Sequence, residues 1–230
     1  MRLRRGGTRP GRILVAGALA ALASACAGRA RRPATAAETE AVLSRWSAYR
    51  ESVLSRPAAE LWYDARVRRS VYGTSGVAAV RDAPGRSFEV VIEGPAGVAV
   101  ARATWDGART TVVREGRSRT FDGDAALSEV GVPLSARSLS LLLFGLPDAS
   151  PPEAVEIGSS GPWLSWRGGA LTCALDSSGR AIRVLARDDE RSVEVRFADW
   201  ENGIPSRVRI AGSPGGTAEL ALRRGDEGTP

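Results

Sequence analysis

The stretch SFEVVIEGPAGVAVARATWDGARTTVVREG, residues 87–116, decides the fold class. Phe88, Val90 and Ile92 alternate with Ser87, Glu89 and Val91, and residues 98–105 and 110–114 continue the two-residue period. Side chains change face at every residue of a strand, so this is the pattern of half-buried strands. Glu93-Gly94-Pro95-Ala96-Gly97, Asp106-Gly107 and Glu115-Gly116 break it with turn residues. Connections this short join antiparallel neighbours, because parallel strands need a crossover of about a dozen residues or more. The centre of the chain therefore reads as an antiparallel meander.

The same period extends outward in both directions. Leu61, Tyr63, Ala65 and Val67 alternate with Trp62, Asp64, Arg66 and Arg68, and Asp82-Ala83-Pro84-Gly85 reads as a turn. Strands are predicted again at 163–167, 170–176, 180–187, 192–200, 206–211 and 217–224. Ser177-Ser178-Gly179, Asp188-Asp189-Glu190 and Asn202-Gly203 supply the turns. Two helices interrupt the strands. Over 37–56, Val42, Leu43, Trp46, Tyr49, Val53 and Leu54 form one apolar stripe, with Thr35 or Thr39 placed to cap it and Pro57 to end it. Residues 124–130 read as a short helix, and Leu134 to Phe144 as a second full one, ended by Gly145 and Pro147. Its run Leu139–Phe144 is apolar on more than one face, which suits burial on both sides or opposition to an apolar cavity. A long antiparallel sheet must close, pack or be covered. The expected fold is mainly β (α+β): a half-open antiparallel β-barrel of about 10–11 strands with helices covering the mouth.

Composition excludes several chemistries. The chain of 230 residues has no histidine, so histidine bases, triads and metal sites are absent. The net charge of +6 falls to +1 once the five arginines of residues 1–25 are set aside, so no broad basic surface for nucleic acid is indicated. Asp188-Asp189-Glu190 reads as a solvated hairpin tip rather than a metal site. Tyr72-Gly73-Thr74-Ser75-Gly76 lacks the lysine and helix of a phosphate loop. Cys173, among apolar neighbours, reads as a small buried residue. No cofactor, no metal and no catalytic residue is expected.

The N-terminus reads as an export signal: Arg2 to Arg12, an apolar run from Ile13 to Leu22, then Ala23-Ser24-Ala25. The apolar run is too short to span a bilayer. Leu22-Ala23-Ser24-Ala25-Cys26 resembles a bacterial lipobox, which implies acylation of Cys26; a plain secretory signal with an incidental cysteine is the alternative. Ala27 in place of an aspartate favours the outer membrane. The expected organisation is a lipoprotein signal peptide at 1–25, a lipidated N-terminus and tether at 26–36, a lipid-binding domain at 37–225 and a tail at 226–230.

Three further segments carry a family resemblance. Val130-Gly131-Val132-Pro133-Leu134, then Leu139, then Leu143-Phe144-Gly145-Leu146-Pro147 resemble the central motif of the LolB family of outer-membrane lipoprotein receptors, within the LolA/LolB superfamily of lipoprotein localisation factors. Residues 88–101 resemble that family's strand, loop and following strand, and residues 200–208 its late strand–turn segment. The likeness spans 37–224. It implies an outer-membrane, periplasm-facing, monomeric lipoprotein without enzymatic activity. Such a protein accepts acylated lipoprotein cargo from a LolA-like periplasmic carrier. It also implies an insertion loop at Pro95, Ala96 and Gly97, in which Ala96 stands where the family carries an exposed leucine. Ser135 stands where the motif has its second proline. The expected cavity residues are Leu61, Tyr63, Val67, Phe88, Val90, Ile92 and Val100, with Leu139, Leu142, Leu143 and Phe144 from the covering helix. A carrier of another lipid or glycolipid, and an envelope scaffold with a filled core, remain as alternatives.

Overall fold

The computed structural model describes residues 31–69, 72–94, 99–114, 116–123, 135–187, 192–213 and 216–223. Among them, fourteen strands form one antiparallel sheet built from two meanders. The first comprises β2 (Ala59–Arg69), β3 (Tyr72–Ala83), β4 (Ser87–Glu93), β5 (Ala99–Trp105), β6 (Arg109–Arg114) and β7 (Arg117–Asp122). The second comprises β8 (Ala154–Gly158), β9 (Gly161–Trp166), β10 (Leu171–Leu175), β11 (Ala181–Arg187), β12 (Ser192–Glu201), β13 (Ile204–Ser213) and β14 (Thr217–Leu222). A two-residue strand, β1 (Arg32–Pro33), lies against β8.

The two meanders are joined by their most distant members. β14 pairs with β2 from Thr217↔Arg68 to Leu222↔Tyr63, and the Arg223 N–H extends the ladder to the Trp62 carbonyl at 2.7 Å. The sheet order is therefore β1-β8-β9-β10-β11-β12-β13-β14-β2-β3-β4-β5-β6-β7, open at β1 and β7. Both edges are blunted. β7 is a short, exposed strand carrying Arg117 and Arg119, and β1 contains Pro33, each a device against edge-to-edge pairing.

This is the expected half-open barrel, with more strands than the pattern predicts. β1, β3, β7 and β8 are the additions, and their residues explain it. β3 opens on Gly73, Thr74, Ser75 and Gly76, and β7 has Phe121 as its one large apolar residue, so neither alternates visibly. Gly76 is required by contact: a Cβ there would stand 1.9 Å from the Glu93 carbonyl oxygen. Asp82 and Ala83 belong to the end of β3 rather than to the turn that follows them.

Helix α1 (Ala36–Leu54) begins with a capping box. The Glu38 N–H donates to Thr35 Oγ1 and the Thr35 N–H donates to Glu38 Oε2 at 2.8 Å. The Arg32 guanidinium grips the same carboxylate and, with the Thr35 N–H, holds it down at a pKa of about 2. Thr35, not Thr39, is the cap. Helix α2 (Ala136–Leu143) is capped by Ser135 and closes with the double turn of a Schellman motif. The Leu146 N–H donates to Leu141 O at 2.9 Å and the Gly145 N–H to Leu142 O at 2.8 Å, with Gly145 at φ +67°. The short helix expected over 124–130 lies outside the described residues.

The position of α2 shows how the sheet curls. It touches β4 and β5 on one side and β13 on the other. In a flat sheet β5 and β13, five places apart, would be roughly 24 Å distant. One narrow helix meets both only because the sheet wraps around it.

Candidate functional site

The helix-covered face is built from register. Leu61, Val80, Val90, Ala103 and Val112 stand side by side across β2 to β6. A second row runs Val155, Leu164, Cys173, Val184, Val195, Ile210 and Ala218 across β8 to β14. It ends at the Cα position of Val67 on β2. These side chains and those of α2 form one apolar cluster.

Nine of the eleven expected cavity residues belong to this apolar cluster. Leu61, Tyr63, Phe88 and Val90 are buried, Ile92 is partly buried against the same cluster, and Leu139, Leu142, Leu143 and Phe144 are buried from the helix side. Val67 and Val100 lie in β2 and β5; their side chains, with Pro95, Ala96, Gly97 and Cys26, lie outside the described residues. Cys173 is buried, and desolvation raises its thiol pKa, which leaves it without thiolate character. Among the described residues no group of three His, Cys, Asp or Glu side chains could hold a metal. The Asp188–Glu190 tip lies outside them.

Alpha2 is the unusual element. Ala136, Leu139, Ser140, Leu141, Leu142 and Leu143 are all buried, so the second turn is covered on every side, while Arg137 leaves the first turn open to solvent. The expectation of burial on more than one side holds. Polar bonds fix its ends and its middle. The Tyr49 hydroxyl donates to Phe144 O from α1. The Ser140 hydroxyl, wholly buried, donates to Asp82 Oδ1 at 2.7 Å and accepts from the Gly85 N–H at 3.1 Å.

Asp82 is the residue that pattern reading missed. It is 1 % exposed, stands in register with Phe88 on the inner face, and its second oxygen, Oδ2, has no hydrogen-bond partner. Burial pushes its pKa up to about 7, opposed only by the Ser140 hydroxyl. The hydroxyl of Tyr63 and the indole N–H groups of Trp46, Trp105 and Trp200 are likewise buried without partners. The interior between sheet and helices is thus apolar in area but carries five polar atoms able to take a hydrogen bond, four on the sheet and one, Trp46 Nε1, on α1. One signal was present: Asp82 lies in phase with Ala78 and Val80, four and two residues before it.

The outward face differs in kind. A groove of about 640 Å³ lies over β11–β14 and β2, lined by Asp64, Arg66, Arg196, Arg207, Arg209 and Glu219 among others. Three of its arginines pair with acids: Arg207 with Asp199 at 3.3 Å, Arg209 with Glu219 at 3.6 Å, and Arg196 with Glu194. Trp62, 41 % exposed, is the large apolar side chain that faces out.

No family model matches the chain, and no characterised protein matches it in sequence. Solved structures do match in fold. A LolA superfamily protein from Nitrosomonas europaea superposes with a TM-score of 0.50 at 11% identity, covering 80% of this chain and 91% of its own. A domain assigned to outer-membrane lipoprotein sorting, from Vibrio parahaemolyticus, gives 0.50 at 11% identity, covering 83% of this chain and 94% of its own. At that identity the likeness is one of fold: a large open antiparallel sheet around two helices.

Proposed function

We propose that this protein is an acyl-binding envelope lipoprotein of the LolB kind. It takes acylated lipoproteins from a periplasmic carrier and passes them to the outer membrane, to which an acylated Cys26 tethers it. The observation that carries the reading is α2: a short leucine-rich helix, buried over most of its surface and seated over a continuous apolar face of an open sheet. Lifted, it leaves a trough of Leu61, Tyr63, Phe88, Val90 and Ile92 facing Leu139, Leu142, Leu143 and Phe144, which suits hydrocarbon chains. The unpartnered Tyr63 and tryptophan donors suit the ester and amide carbonyls at the head of those chains.

The thermodynamic task fits such a device. Three acyl chains carry on the order of 45 methylenes, so their transfer through water would cost roughly 35 kcal/mol. Passage between two apolar troughs removes most of that barrier without nucleotide or metal. Direction then requires this trough to hold the chains more favourably than the carrier does, and less favourably than the bilayer.

The test mixes a Cys26→Ser form of the chain with a carrier loaded with a triacylated lipoprotein, followed by separation and assay of cargo. Cargo moving to this protein is the expected result; cargo retained by the carrier while this protein is folded overturns the reading. Leu142→Asp places a charge on the trough side of α2. It is expected to abolish cargo acceptance while the far-ultraviolet strand signal persists. A second reading, a carrier of another lipid or glycolipid, is favoured by Ala96, which lacks the apolar reach of an inserting leucine. Mass spectra of lipid co-purified with the protein separate the two.

A further inference from the structure

We infer that Asp82 is the fastening of α2, and that ionisation of its carboxyl lifts the helix from the inner face. The inference rests on α2 being the movable cover proposed above. It names how that cover is held and what releases it.

The geometry is that of a polar clasp at the middle of the helix, in an apolar seat; the Tyr49 hydroxyl, from α1, holds only its C-terminal end at Phe144 O. Ser140 sits at the middle of α2, is wholly buried, and has two partners: Asp82 Oδ1 at 2.7 Å and the Gly85 N–H at 3.1 Å. Both partners, Asp82 and Gly85, lie at the β3–β4 hairpin, so the clasp joins one hairpin to one helix. A neutral carboxyl needs one acceptor and one donor role; Ser140 supplies the donor, and Oδ2 stays dry and unpartnered. A carboxylate in that place has a single hydrogen bond and no counter-ion, an arrangement that burial penalises heavily.

Among the described residues no cation acts on it: burial raises its pKa and only the Ser140 hydroxyl opposes. From β2 it meets Ala59 in register and the electrostatic field of the Tyr63 phenol; from β4 it meets Phe88. Beta5 and β13 turn Ala103, Trp105, Val208 and Ile210 to the same face. The one charged residue of α2 is Arg137, and α1 approaches the hairpin through Leu54. Arg86, in the adjoining turn, donates to Arg56 O at 2.6 Å, and Arg56 donates to Asn202 O at 3.0 Å. Release of the helix hydrates the carboxylate, and that gain drives the opening.

The experiment is hydrogen exchange of the α2 amides in the full chain at pH 5.5 and 8.5, corrected for intrinsic exchange and referenced to amides of β10–β12. With a covered pKa of about 7 and a hydrated one near the free carboxylate value, protection of α2 should fall roughly 30-fold between the two pH values. Asp82→Asn keeps an acceptor for Ser140 but cannot ionise, and is expected to show no such fall. Ser140→Ala, which leaves the carboxyl unclasped, should lower α2 protection at both pH values. The inference is overturned if wild-type α2 protection is level across pH, if Asp82→Asn falls as wild type does, or if β10–β12 lose protection in step with α2. Because the readout uses no lipid, it is independent of cargo transfer: a protein that accepts no cargo can still show the release, and one that accepts cargo can still lack it.

Discussion

Asp82 is the one ionisable carboxyl among the described buried side chains, and the sign of its effect on stability follows from its raised pKa. The folded protein holds the Asp82 proton more tightly than the unfolded chain, whose carboxyl titrates near 3.9. Its stabilising contribution is therefore complete below about pH 4 and is lost as the pH rises through about 7. Denaturant unfolding is expected to show roughly 2–3 kcal/mol less stability at pH 8 than at pH 5 from this group, and Asp82→Asn should remove that slope. A wild-type curve that rises over this interval would count against the assignment. Gly145 is decided by shape rather than charge. At φ +67° it serves the Schellman turn, and a Cβ there would lie 2.3 Å from Cη2 of Trp200. Gly145→Ala is expected to cost about 2–4 kcal/mol, read as a shift in the denaturation midpoint.

At the scale of elements, the two helices differ in what holds them. Alpha1 is amphipathic and locally specified: Thr35 caps it, Glu38 returns the bond, and Val42, Trp46 and Val53 face the sheet. Thr35→Ala should lower stability by about 1 kcal/mol without changing the inner face, checked by thermal melts. Alpha2 owes its place to tertiary packing, since eight residues would not stay helical alone in water. This contrast explains what the sequence disclosed. The stripe of α1 and ten of the strands were legible because one face of each is apolar and the other polar. Strand β3 was hidden because it opens on Gly73, Thr74, Ser75 and Gly76, which carry no apolar alternation, and Gly76 is there for the close approach of the Glu93 carbonyl. Strand β7 was hidden because an edge is made polar to stay unpaired. Asp82 beside Ala83-Pro84-Gly85 has the composition of a turn, yet the ladder with Ala59 and Phe88 continues through it. Periodicity told which residues face inward; it held no information on the clasp, which depends on a helix more than fifty residues later.

For the whole molecule the decisive contact is the β14–β2 seam, which turns two meanders into one sheet and allows the inner face to curl around α2. Deleting residues 214–230 removes β14 and leaves β13 and β2 with bare edges at the centre of the sheet. The shortened chain is expected to form oligomers on size-exclusion chromatography and to lose its cooperative melt; a monomer with a sharp transition would show that the meanders are separately stable.

The same seam has a consequence for the time order of folding. Arg223 bonds Asp64 at 2.8 Å across a separation of 159 positions, and the ladder beside it joins segments almost as remote. Synthesis proceeds from β2 toward β14, at about 5–20 residues per second, so β2 waits roughly 8–30 s for its neighbour to exist. Closing so long a loop comes late, and sheets dominated by distant pairings fold slowly. Throughout that interval the growing chain keeps a bare β2 edge and an uncovered apolar face. How long that face stands uncovered is therefore set by the strand order.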